Sequence, residues 1–394
     1  MFKKTNILYV VSHPIQYQAP LLRLISKSID LNVSTLFYWN KSSNTNFDRE
    51  FGLKIKWDIP LLEGYHSDYL VDHAKTQSIF SKLIALWKII DRKKYTILWA
   101  HGYADTYTIA SILFSKLKGI KVFVRGDSAL FPDTRHSKIK NIRRKVLFKI
   151  LNIFVDRFLS VGTSNTNFYL HFGVPKEKII LCHYSVDNAF FRGEFLLAKN
   201  RMIDLKKELN LDLDRLVILY AGKFITRKYP IDLLNAYLML CKNEKIKIPY
   251  LFFVGTGETF DAVKTVAEQF NCEMVRFLGF KNQSELPDYF SLTDIFVSPA
   301  IHENWGLIVN EVMNTECAVI ATDHTACVLD LVKQGENGYV YPARNIKKLA
   351  EYLQILIEDP ALCEKMKIKS GEIISRWGLG ESVLGLQKAC ESLY

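Results

Sequence analysis

Two glutamates eight residues apart are the first candidates for chemistry. Glu303 lies in the turn Glu303-Asn304-Trp305-Gly306, and Glu311 lies in the helical pattern that follows. The first backbone N–H groups of a helix have no intrahelical partner and attract phosphate, and carboxylates can accept hydrogen bonds from hydroxyls around that phosphate. The plainer alternative is that one acid favours the helix dipole and the other lies on a solvated face. From these residues alone the two interpretations weigh equally.

A basic loop follows the predicted strand that ends near residue 220. It reads Ala-Gly-Lys-Phe-Ile-Thr-Arg-Lys and contains Lys223, Arg227 and Lys228. These cations could neutralise a diphosphate, and Gly222 would let a ligand approach the backbone closely. An ordinary solvated basic loop is the alternative.

Two glycines, Gly255 and Gly257, form a further turn from a strand to a helix. A lone Gly-x-Gly pair is a weak signal for phosphate binding. Its position after a predicted strand nevertheless makes it a candidate part of the same site.

The first loop of the chain is polar and contains His13, Gln16 and Tyr17. These side chains suit recognition of a hydroxyl-rich sugar. A rigid turn into a helix that begins at Pro20 is the alternative.

Two other loops of the N-terminal half follow predicted strands. His101 ends one strand, and Arg125 and Asp127 end the next. A lone histidine is more often structural than catalytic. Arg125 and Asp127 could contact a substrate or pair with each other across the turn.

The elements that position these loops alternate between strand and helix patterns. The predicted strands are Ile7–Val11, Asn32–Tyr38, Ile97–Ala100, Val122–Val124, Arg157–Val161, Leu216–Tyr220, Tyr250–Val254, Val275–Leu278, Asp294–Ser298 and Ala318–Ala321. Such alternation predicts parallel sheets with helices on both faces, and ligands bind beyond the carboxyl ends of their strands. A looser stretch at 185–200 predicts a linker, which divides an N-terminal domain (1–190) from a C-terminal domain (191–376).

The bulk composition fits a two-domain globular protein. The chain has 394 residues, of which 49% are hydrophobic, and its net charge of +11 suits an anionic partner. The seven cysteines are scattered without C-x-x-C spacing, which is typical of reduced thiols in a cytosolic protein. No run of ~18 apolar residues predicts a spanning helix.

A basic amphipathic helix is predicted at 137–154. Its span contains Arg143, Arg144 and Lys145 among other cations, with no acid between Asp133 and Asp156. Such a helix can lie on anionic lipid. A sheet-covering helix with its charges in water is the alternative.

The C-terminal half resembles a known family. The E-x7-E spacing of Glu303 and Glu311, followed by a helix and the strand sequence AVIATD, is similar to the donor-site motif of glycosyltransferase family 4 (group 1). Members of that family are retaining enzymes of GT-B fold. The resemblance implies an α/β fold of two Rossmann-like, doubly wound parallel-sheet domains facing a cleft, with helix 377–394 crossing back onto the first domain.

The resemblance implies roles for the matching donor-side residues. Glu303 would hold donor-sugar hydroxyls, Glu311 would hold ribose hydroxyls, and Lys223 and Lys228 would neutralise the diphosphate. Further donor contacts are implied at Gly222, Arg227, Gly255, Gly257, Asn304, Trp305, Gly306 and Leu307. The family has an arginine where this chain has Lys223, and a loop one residue longer. Whether Arg227 or Lys228 makes the inner phosphate contact therefore stays open.

The resemblance also reaches the N-terminal half. Relatives place a histidine near the anomeric carbon of the donor, and His101 matches it. Some members have a similar His-Pro-Ile-Gln-Tyr stretch. Acceptor contacts are accordingly expected at His13, Gln16, Tyr17, Arg125 and Asp127.

The implied activity is transfer of a sugar from a nucleotide-sugar to a hydroxyl of a glycan or lipid-linked acceptor, with retained configuration. We expect UDP as the preferred nucleotide, with GDP as the alternative, and a role in surface polysaccharide synthesis. No Asp-x-Asp clamp stands in a suitable loop, so no metal and no other cofactor is expected. We expect a cytoplasmic protein that contacts the inner membrane face. The rival hypotheses are another GT-B enzyme, of phosphorylase or epimerase type, and a non-catalytic protein that binds anions or nucleic acid; no nucleic-acid partner is predicted.

Overall fold

The computed structural model describes residues 4–39, 46–70, 78–132 and 138–393. The chain forms two compact units. Unit 1 comprises Met1–Asn46, Pro60–Ser185 and Gly378–Tyr394, and unit 2 comprises Phe47–Ile59 and Val186–Trp377.

Strands and helices alternate along the chain. The strands are β1 (Thr5–Val11), β2 (Leu31–Phe37), β3 (Asn46–Asp48), β4 (Leu53–Ile55), β5 (His66–Tyr69), β6 (Ile97–His101), β7 (Lys121–Arg125), β8 (Arg157–Ser160), β9 (Ile179–Leu181), β10 (Val217–Ala221), β11 (Tyr250–Val254), β12 (Val275–Gly279), β13 (Ile295–Ser298), β14 (Ala318–Thr322) and β15 (Gly338–Tyr341). The helices are α1 (Ala19–Ser26), α2 (Ile79–Ile89), α3 (Thr106–Leu117), α4 (Lys138–Phe154), α5 (Thr163–His171), α6 (Asn188–Glu208), α7 (Pro230–Leu240), α8 (Phe260–Gln269), α9 (Leu286–Ser291), α10 (Leu307–Met313), α11 (Val328–Leu331), α12 (Ile346–Glu358), α13 (Pro360–Ile374) and α14 (Leu379–Glu391).

Unit 1 is built on a seven-stranded sheet of order β5-β2-β1-β6-β7-β8-β9. Strand β1 pairs in parallel with β2, from Thr5 opposite Leu31 to Val11 opposite Phe37. Buried residues of α2 to α5 form the core on one face of this sheet, and those of α1 and α14 form the core on the other. Both faces are covered, which explains why the strands are apolar runs rather than alternating patterns.

Unit 2 is built on a six-stranded sheet of order β12-β11-β10-β13-β14-β15. Strands β13 and β14 pair in parallel, with Ile295 opposite Ala318. The predicted fold class of two doubly wound parallel sheets is therefore confirmed. Strands β3 and β4 form a separate two-stranded sheet. They lie in the part of unit 2 that comes from the N-terminal half, which we call the β3–β4 segment (Phe47–Ile59).

Helix α6 occupies most of the stretch 185–200 that was predicted as a linker, and the boundary between the two units falls at its start, after Ser185. Asp187 caps this helix by accepting a hydrogen bond from the Phe190 N–H at 3.1 Å. Phe191, Phe195 and Ala198 are buried at helical spacing. Gly193 and the mixed charges of this stretch masked the apolar face.

None of the helices within the described residues is long and apolar enough to cross a bilayer. All seven cysteines are free, and five of them are buried. The predicted basic helix is present as α4, except that its first residue lies outside the described residues, as does Asp133, the acid that precedes it.

Candidate active site

The strand order of unit 2 reverses between β10 and β13. From β10 the sheet continues outward through β11 and β12, and the chain then returns to place β13 on the other side of β10. Loops that leave two such strands diverge, and ligands of open parallel sheets bind in the crevice between them. The loop after β10 carries the predicted cations, and the loop after β13 carries Glu303.

These two loops are joined by backbone and side-chain contacts. The Ile301 N–H donates to the Arg227 carbonyl at 2.9 Å. The Lys228 ammonium and the Glu303 carboxylate form an ion pair, and only 19% and 12% of the two side chains is exposed. The backbone of Glu303 is fixed in turn by His324, whose carbonyl accepts from the Glu303 N–H at 2.9 Å. The structure therefore brings together an acid and a cation that lie 75 positions apart in the sequence.

The protonation of Lys228 is finely balanced. Burial, together with the charges of Arg227 and Lys223, lowers the pKa of Lys228 to about 7. The ion pair with Glu303 favours the ammonium form instead. An added anion would therefore be met by a cation that is poorly solvated and readily protonated.

The turn before α10 depends on Gly306. Its φ is +96°, and a Cβ atom there would lie 3.1 Å from Thr325 Cγ2. The Trp305 side chain is buried: its Nε1 donates to Asn310 Oδ1 at 2.9 Å, and its ring stacks on Trp377 with centroids 5.6 Å apart. Trp305 therefore holds the turn with its side chain, and a ligand could meet only its backbone.

Glu311 lies in α10 and is 7% exposed. Burial raises the pKa of its carboxyl to about 8. A carboxyl in such a place keeps its charge only when a donor hydrogen-bonds to it. The position therefore suits an acceptor of hydroxyl hydrogen bonds from a bound ligand.

The glycines after β10 and β11 pack backbone against backbone. A Cβ atom on Gly255, whose φ is +125°, would lie 1.9 Å from the Gly222 carbonyl oxygen. A Cβ atom on Gly257 would lie 2.5 Å from the Phe224 carbonyl oxygen. These glycines are required for loop packing, which is a structural reason for the pattern found in the sequence.

The other two predicted cations meet the β3–β4 segment. Lys223 Nζ lies 3.0 Å from Asp48 Oδ2 and 2.8 Å from Glu50 Oε2, and Arg227 Nη2 lies 3.2 Å from Glu50 Oε1. Burial opposes ionisation of both acids, but the hydrogen bonds from Lys223 outweigh it and hold the pKa of each carboxyl below its usual value. Asp48 and Glu50 were not predicted as site residues, because their partners lie in the other half of the chain.

The strand order of unit 1 reverses between β1 and β6, and the loops after these strands meet. The Tyr9 hydroxyl donates to Gln18 Oε1 at 2.5 Å and lies 3.2 Å from His101 Nδ1. Gln18 Nε2 lies 3.1 Å from the same nitrogen. The predicted contact was Gln16, whereas Gln18 makes these hydrogen bonds, and its burial at the start of α1 distinguishes the two.

His101 is neutral near pH 7. Burial, followed by the charges of Arg125 and His13, lowers the pKa of its imidazole to about 3. The ring can therefore donate or accept a hydrogen bond but does not act as a cation.

The predicted acceptor residues differ in burial. Arg125 is 2% exposed, donates to the His183 carbonyl at 2.9 Å and lies over the Tyr184 ring, so its guanidinium is not presented to a substrate in this structure. His13, Gln16 and Tyr17 are half-buried, and Asp127 is exposed. Tyr17 packs edge-on against Tyr184, with centroids 5.5 Å apart.

Over the described residues, no cluster of three or more His, Cys, Asp or Glu side chains is placed to hold a metal ion. Metal independence itself stays a prediction.

Residues 202–372 match the family model described as glycosyl transferases group 1. The chain is 24% identical to the capsular polysaccharide biosynthesis glycosyltransferase CapM of Staphylococcus aureus, over 86% of this chain and 87% of that protein. It is 22% identical to an Escherichia coli UDP-Gal:α-D-GlcNAc-diphosphoundecaprenol α-1,3-galactosyltransferase, over 76% of each chain. Among solved structures, the Anabaena protein HepE in complex with UDP is similar with a TM-score of 0.71 and 16% identity, over 99% of both chains.

The two parallel-sheet units and these matches define a glycosyltransferase of GT-B fold. The match to the glycosyl transferases group 1 family lies within unit 2.

Proposed function

We propose that the protein transfers a hexose from UDP-sugar to a hydroxyl of a glycan or lipid-linked acceptor, with retention of configuration, in surface polysaccharide synthesis. The names of the two relatives, one capsular and one acting on a diphosphoundecaprenol-linked sugar, support the acceptor class. The UDP complex of the structural neighbour supports the nucleotide. GDP is the alternative nucleotide.

The observation that carries this proposal is the buried ion pair of Lys228 and Glu303 at the strand-order reversal of unit 2. A leaving diphosphate develops negative charge, and a fixed cation in a poorly hydrated site stabilises that charge strongly. Lys228 supplies the cation, assisted by Lys223 and Arg227. Glu303 and Glu311 accept hydrogen bonds from sugar and ribose hydroxyls.

The charge of the leaving group is met by side chains in this mechanism, so catalysis is expected without a metal or other cofactor. Activity should persist after dialysis against a chelator. Activity that is lost on dialysis and restored by Mg²⁺ or Mn²⁺ would contradict this part of the proposal.

The test of the nucleotide is calorimetric titration with UDP and GDP, followed by product analysis with UDP-sugars. Glu303→Gln and Lys228→Met should each lower kcat/KM by about a hundredfold or more, because each removes a group that contacts the transferred sugar or the leaving group. Glu258→Gln is the matched control, since its carboxylate accepts from the Thr226 N–H and hydroxyl beside the site. Phosphate-dependent release of a sugar phosphate, or epimerised donor without transfer, would favour the rival enzyme types.

We also propose that the protein works at the inner face of the membrane, in contact with anionic lipid through the basic helix 137–154. A lipid-linked acceptor would place the reaction there.

A further inference from the structure

Unit 1 carries an exposed apolar face that extends well beyond helix α4. In α4 the apolar residues at helical spacing point to solvent rather than to the sheet, and they are Ile139, Ile142, Val146, Ile150 and Ile153. Ile142 is 61% exposed and Ile153 is 71% exposed. A helix that only covers a sheet would bury this stripe.

The two neighbouring helices, α2 and α3, also expose apolar side chains to solvent. Helix α3 contacts both α2 and α4, and all three contribute to the core on one face of the sheet. The outward residues of α2 include Phe80, Ile84 and Trp87, and those of α3 include Ile109, Leu113 and Leu117. Apolar stripes on three adjacent helices form a patch that soluble proteins rarely leave uncovered.

The charge of this face identifies the partner. Over the lengths that the structure describes, α2, α3 and α4 contain no aspartate or glutamate. Helix α4 alone contains Lys138, Lys140, Arg143, Arg144, Lys145 and Lys149. Two copies of so basic a face would repel each other, whereas an anionic bilayer offers both an apolar interior and complementary charge.

We infer that the outward face of α2, α3 and α4 is a docking surface for an anionic lipid bilayer. The apolar side chains enter the acyl boundary, the cations contact headgroups, and Trp87 lies at the level between them. This inference names the membrane partner of the proposed function, but lipid binding itself does not require that the enzyme use UDP-sugar.

The test is flotation of the full chain with vesicles of phosphatidylcholine, with and without phosphatidylglycerol. Binding is expected only with phosphatidylglycerol and should weaken with salt. Reversal of Arg143, Lys145 and Lys149 to glutamate should lower the partition coefficient by at least about a hundredfold, because the loss of each basic residue alone lowers it about fivefold. Reversal of the exposed Lys242, Lys245 and Lys347 in unit 2 is the matched control.

A double substitution of exposed apolar residues tests apolar insertion separately from charge attraction. Ile142→Ser with Ile153→Ser should also weaken binding, without loss of folding, because both side chains are already exposed. Equal binding of all variants would overturn the inference. So would a dimer in sedimentation that these serine substitutions dissociate, since the face would then be a protein interface.

The β3–β4 segment contacts two of the predicted phosphate-binding cations, Lys223 and Arg227. The Lys223 ammonium has three N–H donors, and it lies within hydrogen-bond distance of three carboxylate oxygens: Asp48 Oδ1 at 3.3 Å, Asp48 Oδ2 at 3.0 Å and Glu50 Oε2 at 2.8 Å. The same segment packs Phe51 against Phe280, with centroids 5.2 Å apart, and its Lys56 carbonyl accepts from Asn282 Nδ2 at 2.8 Å. The segment thus covers the ends of β10 and β12.

We propose that Asp48 and Glu50 occupy the diphosphate cations in the empty protein, so that donor and segment compete for Lys223 and Arg227. A diphosphate placed beside these carboxylates would meet like charge, and Lys223 has no donor left for it. The proposal rests on the proposed function only in naming a diphosphate as the competitor.

Glu50→Gln tests the competition. Asp48 is left unchanged, because it also accepts from the Glu50 N–H at 2.8 Å and a substitution of Asp48 would disturb the turn. The Kd for UDP by calorimetry should fall about fivefold or more. Glu258→Gln removes a nearby charge without releasing a cation and should change Kd much less. Weaker binding by Glu50→Gln would overturn the proposal.

Amide hydrogen exchange supplies a readout that does not need binding. Residues 48–55 should exchange faster in ligand-free Glu50→Gln than in the ligand-free unchanged protein. In the unchanged protein, UDP should also make these residues exchange faster than they do without ligand. Unchanged exchange in the ligand-free variant, or slower exchange with UDP, would refute the competition. Absence of UDP binding in every variant would instead count against the proposed nucleotide.

Discussion

The protonation state of Lys228 depends on its contacts in the candidate site. Its ammonium contacts Glu303, while burial and two neighbouring cations lower its pKa to about 7. A bound diphosphate would favour the protonated form, so binding would take up a proton at neutral pH.

The pH dependence of UDP binding follows from this arrangement. Affinity should be full below pH 7 and should fall as the pH rises through about 7, because the free lysine then loses its proton. In Lys228→Arg the guanidinium stays charged, so calorimetry between pH 7.5 and pH 9, where the terminal phosphate of UDP is fully ionised, should show a flat profile. An equal decline in the arginine variant would place the titrating group elsewhere.

The burial of Glu311 should make the free energy of unfolding depend on pH. Its folded pKa of about 8 lies above the ordinary value of 4.5, so its burial does not destabilise the protein below about pH 4.5 and destabilises it increasingly up to about pH 8. Glu311→Gln should therefore raise the free energy of unfolding by a few kcal/mol at pH 8 and by little at pH 4.5. Denaturant titration of both proteins at the two values measures this, and a constant difference would contradict it.

Among the individual site residues, the sequence predicted those that belong to a local motif. Glu303, Glu311 and the basic loop are each recognisable from short patterns, and the structure places Lys228 on Glu303. Asp48 and Glu50 escaped notice because each meets its cationic partner only through the fold. No local pattern reports that partner.

The first part of helix α6 was not predicted from the sequence because a glycine, Gly193, interrupts its helical pattern. Gly193 stands inside the helix with no atom within 4 Å of an added Cβ. Gly193→Ala should therefore stabilise the protein by about 1 kcal/mol, because glycine is the poorer helix former. In Gly173→Ala the added Cβ also meets open space, but φ is +86°, so that control should be destabilised. Thermal unfolding compares the two, and no gain in Gly193→Ala would mean that this helix is not formed in solution.

The sheets were predictable because buried parallel strands are long apolar runs between helical patterns. The strands β3 and β4 are three residues each and carry charges, so no periodicity marks them. The pattern predicted the strands whose burial is continuous. It missed short strands with incomplete burial at the sheet edges (β5, β9 and β15) and the separate pair β3 and β4.

Unit 1 is completed by the last helix in the sequence, α14. Leu386, Ala389 and Cys390 of α14 are buried with the residues of β1 and α1. A Cβ atom on Gly385 would lie 2.3 Å from the Leu181 carbonyl oxygen, so this packing is close. A core made from both halves of the sequence is invisible to any local pattern.

Leu386→Ala should lower the free energy of unfolding of unit 1 by about 2–5 kcal/mol, the usual range for a fully buried leucine. Leu384→Ala is the matched control, since that side chain is 55% exposed and should have little effect. Urea titration would compare them. A similar, small change in both variants would show that α14 does not contribute to this core.

The stacked rings of Trp305 and Trp377 have an optical consequence. Their planes lie 19° apart within unit 2, close enough for the two indole transitions to couple, and Trp305 stands two residues after Glu303. A ligand that shifts the loop by a fraction of an ångström would alter this coupling. Near-ultraviolet circular dichroism can therefore follow occupancy of the site without a label, a chromogenic sugar or a coupled enzyme.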